Sequence, residues 1–358
     1  MGKVRISSIQ LFMLLSGFLF GSTVILTPTS GAKNDAWMAI LLGGAGGALL
    51  MWLYAKIAML NPSKTLVDIL RERMGKIVGS IVSVLYIWYF IHLASLVLRN
   101  FGEFICTTTL PETPMAVVIG LFAAVLVFVI NSGIEVLGRL GELLVPVVPL
   151  VILIICLSII TAADFEALLP VMENGITPVL KAAFGLMTFP FGETVAFLML
   201  FQYLNNQAKL KKVVIASAGA LTLSGLVIFL RDVFVLGSEL MSRATFVPHL
   251  TTLLIPGVNV EPLVDINLLI SGGIKISVCI YAAAKALCQL AGIDDYTRLT
   301  GAIATFCVVL SVWIYENVID MFNWAEKVWP FYSIPFQIII PVLLLLLSLR
   351  KKPGTSQN

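Results

Sequence analysis

Two short segments of the chain carry groups that could hold a small charged molecule. Residues 20–24 (FGSTV) and 191–195 (FGETV) match at four of five positions, and each lies inside a long apolar run. Glycine or proline within such a run is typical of a helix that is interrupted at membrane depth. Two interrupted helices at corresponding places in two halves of a chain predict a transporter-like binding site. The alternative is a chance match between two apolar segments.

A break in the first segment would expose backbone groups of both signs. If the helix stops near Gly21, the N–H groups of Ser22 and Thr23 begin a new helix and can bind a carboxylate. The carbonyl groups around Gly17 would then be able to accept an ammonium. The first segment therefore predicts an anion site beside a cation site.

The second segment offers carbonyl groups for the same reason. Pro190 has no N–H and Gly192 permits unwinding, so the carbonyls of Thr188 and Phe189 are expected to lack their usual helical partners. Taken with the first segment, the breaks present an anion site next to cation-accepting carbonyls. That is the charge pattern of a zwitterion and hence of an amino acid.

Glu193 stands where the first segment has Ser22. A carboxylate near the middle of a membrane costs about 2.5–3.5 kcal/mol unless it is paired or hydrated. Glu193 could bind a ligand ammonium, carry a coupling proton, or form a structural ion pair with Lys275 in a later apolar run. Lys275 could instead place its ammonium in a cation site, so that no sodium ion would be needed there. All of these roles stay open on spacing alone.

Polar residues in two other apolar runs could approach the breaks. His92 lies in the third run and could take part in charge or proton coupling, or be a buried histidine that is satisfied within the fold. Ser277 and Tyr281 are four residues apart, so they share one face of a helix in the eighth run. That face could line a cavity, or it could serve helix packing.

The composition indicates the class of protein that must position these groups. Hydrophobic residues make up 59% of the 358 residues and charged residues 12%, against roughly 25% charged in soluble domains. The chain is therefore predicted to be a polytopic membrane protein. Its basic residues are spread over short loops, which speaks against a nucleic-acid partner. No enzyme motif, metal-ligand cluster or cofactor signature is present, and the glycine-rich residues 43–47 indicate close helix packing.

Ten apolar segments are long enough to cross a bilayer. We place them at residues 7–29, 36–60, 77–104, 115–131, 142–162, 182–204, 211–236, 266–290, 299–315 and 331–349. With the N-terminus in the cytoplasm, fifteen Lys and Arg residues fall on the inner side and six on the outer side. This bias predicts that both chain termini are cytoplasmic.

The two similar segments fall in the first and the sixth predicted span. Each half then has five spans, and an odd number forces the second half to enter the membrane from the opposite side. The fold is therefore predicted to be all-α, with ten transmembrane helices in a five-plus-five inverted repeat and broken helices 1 and 6. We expect one membrane domain over residues 1–350, with repeats at about 7–162 and 182–349. Residues 351–358 are expected to be a disordered cytoplasmic tail.

These features resemble the spore germination permease family, the B-type subunits of endospore nutrient receptors in the amino acid–polyamine–organocation superfamily. The resemblance covers essentially the whole chain and includes the segment 188–193 (TFPFGE) in the sixth span. Residues 21–23 (GST) are similar to the Gly-Ser-Gly segment of amino acid permeases, with Thr23 in place of the second glycine. The resemblance implies a ligand at the two breaks, flanked by the third and eighth spans. The site residues that it implies here are Gly21, Ser22, Thr23, Phe189, Pro190, Phe191, Gly192, Glu193, Ser277 and Tyr281.

The resemblance also implies partners and a location. The partners are an A-type membrane subunit and a C-type lipoprotein, and the location is the bacterial cytoplasmic membrane or the spore inner membrane. The leading hypothesis is a receptor subunit that senses a small nutrient, most simply an amino acid, without enzymatic activity. The competing hypothesis is an amino acid–proton symporter in which Glu193 or Lys275 titrates. A membrane scaffold without a ligand is a third class.

Overall fold

The computed structural model describes residues 4–21, 23, 25, 29–159, 165–254 and 260–350, and nearly all regular structure within them is helical. The α-helices are α1 (Ser8–Phe20), α2 (Ala36–Leu60), α3 (Leu66–Met74), α4 (Lys76–Thr108), α5 (Met115–Asn131), α6 (Ile134–Leu144), α7 (Val147–Ile159), α8 (Ile176–Leu186), α9 (Leu210–Arg243), α10 (Val247–Leu253), α11 (Glu261–Ala291), α12 (Thr297–Trp313), α13 (Val318–Asn323), α14 (Trp329–Tyr332) and α15 (Ile340–Leu349). Ser22 and the predicted tail at 351–358 lie outside the described residues.

The apolar helical segments coincide with the ten predicted spans. Seven of them are long and apolar enough to cross a membrane, and three shorter apolar helices, α1, α5 and α12, account for the remaining predicted spans. Some spans contain more than one α-helix, since α6 and α7 form the fifth, and α13, α14 and α15 belong to the tenth. The prediction of ten apolar membrane segments is confirmed, and the chain is an integral membrane protein.

The first and sixth spans run in opposite directions. The backbone N–H of Ile6, just before α1, donates to the carbonyl oxygen of Tyr203, just after the sixth span, at 2.9 Å. At the same end of the bundle, the Asn61 side chain after α2 donates to the Ser348 hydroxyl near the end of α15 at 3.0 Å. We call this the terminus-bearing end. The meeting of the start of one span with the end of the other is the arrangement that an inverted repeat requires.

Both spans are interrupted where the sequence predicts it. Helix α1 ends at Phe20, and the next described residues, Gly21, Thr23 and Ile25, lie in turns. In the sixth span α8 gives way to a widened π-helical turn, Met187–Phe191, in which Phe189 is extended (φ −134°, ψ 115°). A 3-10 helix, Gly192–Met199, follows. The predicted breaks in the first and sixth spans are confirmed.

The glycine-rich stretch of α2 lets the irregular sixth span approach closely. A Cβ atom at Gly47 would lie 2.2 Å from the ring of Phe191, and one at Gly43 would lie 2.8 Å from the carbonyl oxygen of Ala183. Both distances are far below van der Waals contact, so only glycine fits there. The prediction of a close-packing surface at residues 43–47 is confirmed at these positions.

The last span is also irregular, which the sequence analysis did not predict. Two π-helical turns, Trp324–Val328 and Pro335–Ile339, flank the short helix α14. Proline lacks the N–H of a regular helix and so favours such interruptions. The second turn contains Gln337, whose side chain is completely buried in the bundle.

Candidate functional site

A buried ion pair lies between the two breaks. The Lys275 ammonium nitrogen of α11 is 2.5 Å from Oε2 of Glu193 in the sixth span. The Lys275 side chain is 0% exposed and that of Glu193 is 1% exposed. Of the roles left open for Glu193, the ion pair with Lys275 is therefore formed in this structure. A pair of this kind, isolated from water, is held mainly by the mutual attraction of its two charges.

Two aromatic rings complete the surroundings of the Lys275 ammonium. Its nitrogen lies 4.7 Å from the ring centroid of Phe189 and 5.4 Å from that of Phe18. Both distances are within the range of cation–π attraction. Because Phe18 belongs to the first span and Phe189 to the sixth, the ammonium is held by both broken segments at once. We call Phe18, Phe189 and Glu193 the ammonium box.

The alkyl chain of Lys275 passes directly over Gly21. A Cβ atom at Gly21 would lie 2.7 Å from Cδ and 2.8 Å from Cβ of Lys275, and 3.0 Å from the carbonyl oxygen of Ser271. No residue larger than glycine fits without moving α11. The break in the first span and the lysine of the eighth therefore occupy one continuous space.

The backbone groups of the first break are engaged in turns. The N–H of Gly21 donates to the carbonyl of Phe18, and the N–H of Thr23 donates to the carbonyl of Phe20, both at 3.1 Å. The Thr23 hydroxyl donates to the same Phe20 carbonyl at 3.0 Å. The expectation that the Thr23 N–H is open to a ligand carboxylate is therefore wrong for this structure, because a tight turn uses it. Ser22, the other predicted donor, lies outside the described residues.

The backbone groups of the second break are satisfied by side chains from other spans. In the widened turn the N–H of Gly192 donates to Met187, not to Thr188. The Thr188 carbonyl instead accepts a hydrogen bond from the Gln337 side-chain amide at 3.0 Å. The hydroxyl of Tyr54 is 3.1 Å from the carbonyl of Gly192 and 2.7 Å from that of Gln337. The expectation that the Thr188 carbonyl loses its usual helical partner is therefore confirmed, and a side chain from the tenth span replaces that partner.

Gly192 and Gln337 are in tight contact. A Cβ atom at Gly192 would lie 2.0 Å from Oε1 of Gln337. The Gln337 amide nitrogen also donates to the Tyr89 hydroxyl of α4 at 2.9 Å. Pro190, which was predicted to deprive the helix of a donor, is buried within the same turn. Gln337 thus ties the second break to the third and tenth spans.

Three other predicted site residues have different neighbours. A Cβ atom at Gly17 would lie 2.6 Å from the side chain of Ile274, so its small size serves packing against α11. Ser277 is buried, and its hydroxyl makes no hydrogen bond within the described part of the chain. The hydroxyl of Tyr281 donates to that of Tyr203 at 2.8 Å, towards the terminus-bearing end. Their role as ligand contacts stays a prediction.

His92 lies in an aromatic cluster between the third and tenth spans. Its imidazole stacks on Trp88 at 5.7 Å between centroids and meets Tyr332 edge-on at 5.2 Å. Trp324 approaches it at 6.0 Å. These neighbours carry no charge, so His92 lies in an aromatic setting without an ion-pair partner among them. Its predicted part in charge or proton coupling remains open.

A narrow cavity leads from Glu193 towards the end of the bundle opposite the termini. It measures ≈ 20 Å³, enough for about one water molecule, and Glu193, Phe189 and Asn100 are among its lining residues. A wider vestibule of ≈ 480 Å³ opens beyond it, at the start of the tenth span. Tyr315 and Trp324 line both spaces. These two residues therefore lie where the two spaces adjoin.

Sequence reasoning missed the ring of Phe18, of which it considered only the carbonyl, and it missed Tyr54 and Gln337. Gln337 is an amide inside an apolar run between Pro335 and Pro341, and such a polar residue is a usable signal for a buried hydrogen bond. Phe18 and Tyr54 gave no signal, because aromatic residues are common throughout apolar spans. Their contribution depends on the rotation of each helix, which periodicity within one span does not reveal.

Comparison with known proteins identifies relatives of the whole chain. The family model described as "Spore germination protein" matches residues 5–319. Spore germination protein KB of Bacillus subtilis (strain 168) is 34% identical over 366 residues, which cover 98% of this chain and 96% of that protein. Relatives of this extent share their fold along the full membrane domain.

Solved structures show the same fold at low sequence identity. MhsT in complex with L-phenylalanine superposes with a TM-score of 0.67 at 14% identity, covering 98% of this chain and 99% of that one. A substrate-bound, outward-open Na+-coupled sialic acid symporter superposes with a TM-score of 0.69 at 11% identity, covering 91% and 80%. With the opposed, interrupted first and sixth spans, these likenesses confirm the all-α five-plus-five inverted repeat.

Proposed function

The chain belongs to the spore germination permease family, and on that premise we propose that it is the nutrient-binding subunit of a spore germinant receptor. Family and fold place it among membrane receptors or transporters for small molecules and not among enzymes. The proposed ligand is an amino acid, held at the interrupted centres of the first and sixth spans. Binding shifts a conformational equilibrium through its different affinity for the two states.

The ion pair between Lys275 and Glu193 is the observation that supports this proposal most directly. Two opposite charges at the depth of two helix breaks are costly to maintain in a membrane protein, and such groups usually mark a ligand or ion pathway. The cavity beside Glu193 continues towards the vestibule at the end opposite the termini. We place that end outside the membrane and both termini in the cytoplasm, in line with the distribution of basic residues.

The proposed receptor includes further subunits. An A-type membrane subunit and a C-type lipoprotein read the conformational change in the cytoplasmic membrane or the spore inner membrane. Co-purification of a tagged chain from membranes that contain all three subunits tests the assembly. Recovery of the chain alone, under conditions that keep each subunit in solution, contradicts it.

A thermal-shift screen of the purified chain tests ligand binding. Amino acids, sugars and nucleosides are added singly, and a ligand at one hundred times its Kd is expected to stabilise the fold by about 2.7 kcal/mol. A concentration-dependent rise with one or more amino acids supports the proposal. No shift with any small nutrient favours a scaffold without a ligand.

An amino acid–proton symporter is the second candidate, because Glu193 is a buried carboxylate beside the breaks. Uptake into proteoliposomes that contain only this chain separates the two functions. Uptake driven by a pH gradient and abolished by Glu193→Gln rules out a pure sensor. Binding of the same amino acid without uptake rules out the symporter.

A further inference from the structure

The side chain of Lys275 fills the space between the two breaks as a ligand would. Its alkyl chain lies over Gly21, and its ammonium lies in the ammonium box of Phe18, Phe189 and Glu193. We propose that Glu193 and Lys275 form a divided receptor for a zwitterion. The ligand ammonium takes the place of Lys275 against Glu193, and the displaced Lys275 ammonium binds the ligand carboxylate. This inference rests on the proposed function and specifies its ligand class.

The ammonium half of the receptor is already built. It combines one buried carboxylate with two aromatic faces, and it presently holds a primary ammonium. The ammonium of an α-amino acid other than proline has the same charge and the same three N–H donors as that of lysine. It can therefore replace the lysine ammonium with the same partners.

The carboxylate half needs a cation, and Lys275 is the basic group at this place. Of the two backbone donors assigned to the carboxylate from the sequence, the N–H of Thr23 donates to Phe20, and Ser22 lies outside the described residues. Lys275 has a flexible four-carbon chain whose Cβ lies beside Gly21, so its ammonium can move while its backbone stays in α11. In the proposed exchange this chain rotates, which withdraws the ammonium from the box and leaves it near the break.

The balance of charges then selects the ligand. A zwitterion converts one ion pair into two, and every buried charge keeps a partner. An amine without a carboxylate would leave Lys275 without a counter-charge, and an acid without an ammonium would do the same to Glu193. A sugar carries neither charge, so it offers no partner to Glu193 or Lys275 and would leave their ion pair closed. Since breaking one side of a buried pair is strongly unfavourable, the site should accept only ligands with both charges.

Analogues of a bound amino acid test this in the unmodified protein. The twenty standard amino acids are screened by thermal shift, and the tightest is compared with its carboxamide and its deaminated acid by titration calorimetry. Each analogue is expected to bind at least roughly 100-fold more weakly. An analogue that binds within threefold of the amino acid overturns the inference. The inference is also overturned if a sugar or a nucleoside binds and no amino acid does. If none of the tested compounds binds, the proposed function itself is contradicted.

Reciprocal variants assign the two halves. Lys275→Met should bind the carboxamide at least as well as the amino acid, because it keeps only the ammonium half. Glu193→Gln should bind the deaminated acid at least as well, because it keeps only the cation. The Lys275→Met/Glu193→Gln double variant, which removes both charges, checks that the fold tolerates their loss. If either folded single variant still prefers the zwitterion, the assignment of the two halves is contradicted. If a single variant does not fold, the comparison of analogues in the unmodified protein still tests the inference.

Discussion

The side-chain amide of Gln337 donates to the backbone carbonyl of Thr188 at 3.0 Å. A residue of the tenth span thereby supplies the donor that the sixth span loses when the N–H of Gly192 turns to Met187. A carbonyl without a partner at this depth would cost several kcal/mol. The interruption of the sixth span is therefore stabilised from outside that span, which makes it a permanent feature of the fold.

Removing this donor should destabilise the protein. Gln337→Leu leaves the Thr188 carbonyl buried without a partner, and we expect a loss of about 1–3 kcal/mol in the free energy of unfolding. Unfolding in detergent, followed by circular dichroism, measures the change. Tyr89→Phe is the matched control, because it removes only the other acceptor of the same amide and should cost less. Equal losses in the two variants would argue against a special role for the Thr188 bond.

The glycine of the first break should be irreplaceable for ligand response. A Cβ atom at Gly21 overlaps the Lys275 side chain, so Gly21→Leu must displace the lysine from the ammonium box. We expect membrane insertion to be kept and the thermal shift by an amino acid ligand to be lost. Gly120→Leu is the control, since a Cβ at Gly120 meets no atom within 4 Å. Unchanged affinity in Gly21→Leu would mean that Gly21 does not line the site.

The ion pair should show strong coupling between its two members. Glu193→Gln leaves Lys275 as an uncompensated buried charge, and Lys275→Met does the same to Glu193, so each should destabilise by about 3–5 kcal/mol. The double variant should lie within about 1–2 kcal/mol of the wild type, because replacing both charges is often nearly neutral. Thermal unfolding of the wild type, the two single variants and the double variant gives a double-mutant cycle for the pair. Additive losses would show that the two side chains act independently.

Trp324 should limit access to the site. Together with Tyr315 it lines both the vestibule and the cavity beside Glu193, so it lies where the two spaces adjoin. Trp324→Ala should raise the association rate of an amino acid ligand severalfold while changing affinity less, because it removes a barrier and no ligand contact. Stopped-flow tryptophan fluorescence measures the rate. Trp313→Ala, at a tryptophan that is 82% exposed, should leave the rate unchanged, and a similar effect of both variants would exclude a gating role.

The sequence predicted the breaks better than the contacts around them. Glycine and proline act within one helix, so the interruptions at Gly21 and Pro190 could be predicted from their positions alone. The pair of Glu193 with Lys275 was one of several open roles, because spacing along one span does not reveal which face meets another. Thr23 was assigned wrongly, since a local turn uses its N–H. The Thr188 carbonyl does lose its helical partner, but the substitute donor comes from a distant span and could not be predicted. Gln337 was overlooked because the irregularity of the last span places it inward.

The neutrality of the ion pair has an electrical consequence. A charge that moves across the full membrane changes the energy of a conformational step by about 2.3 kcal/mol for each 100 mV. Glu193 and Lys275 together contribute no net charge, and a zwitterion that joins them adds none. Response to an amino acid at this site should therefore be insensitive to membrane potential, whereas a symporter that carries a proton with each turnover should be driven by it. A dormant cell with a collapsed potential could still detect its nutrient through such a receptor.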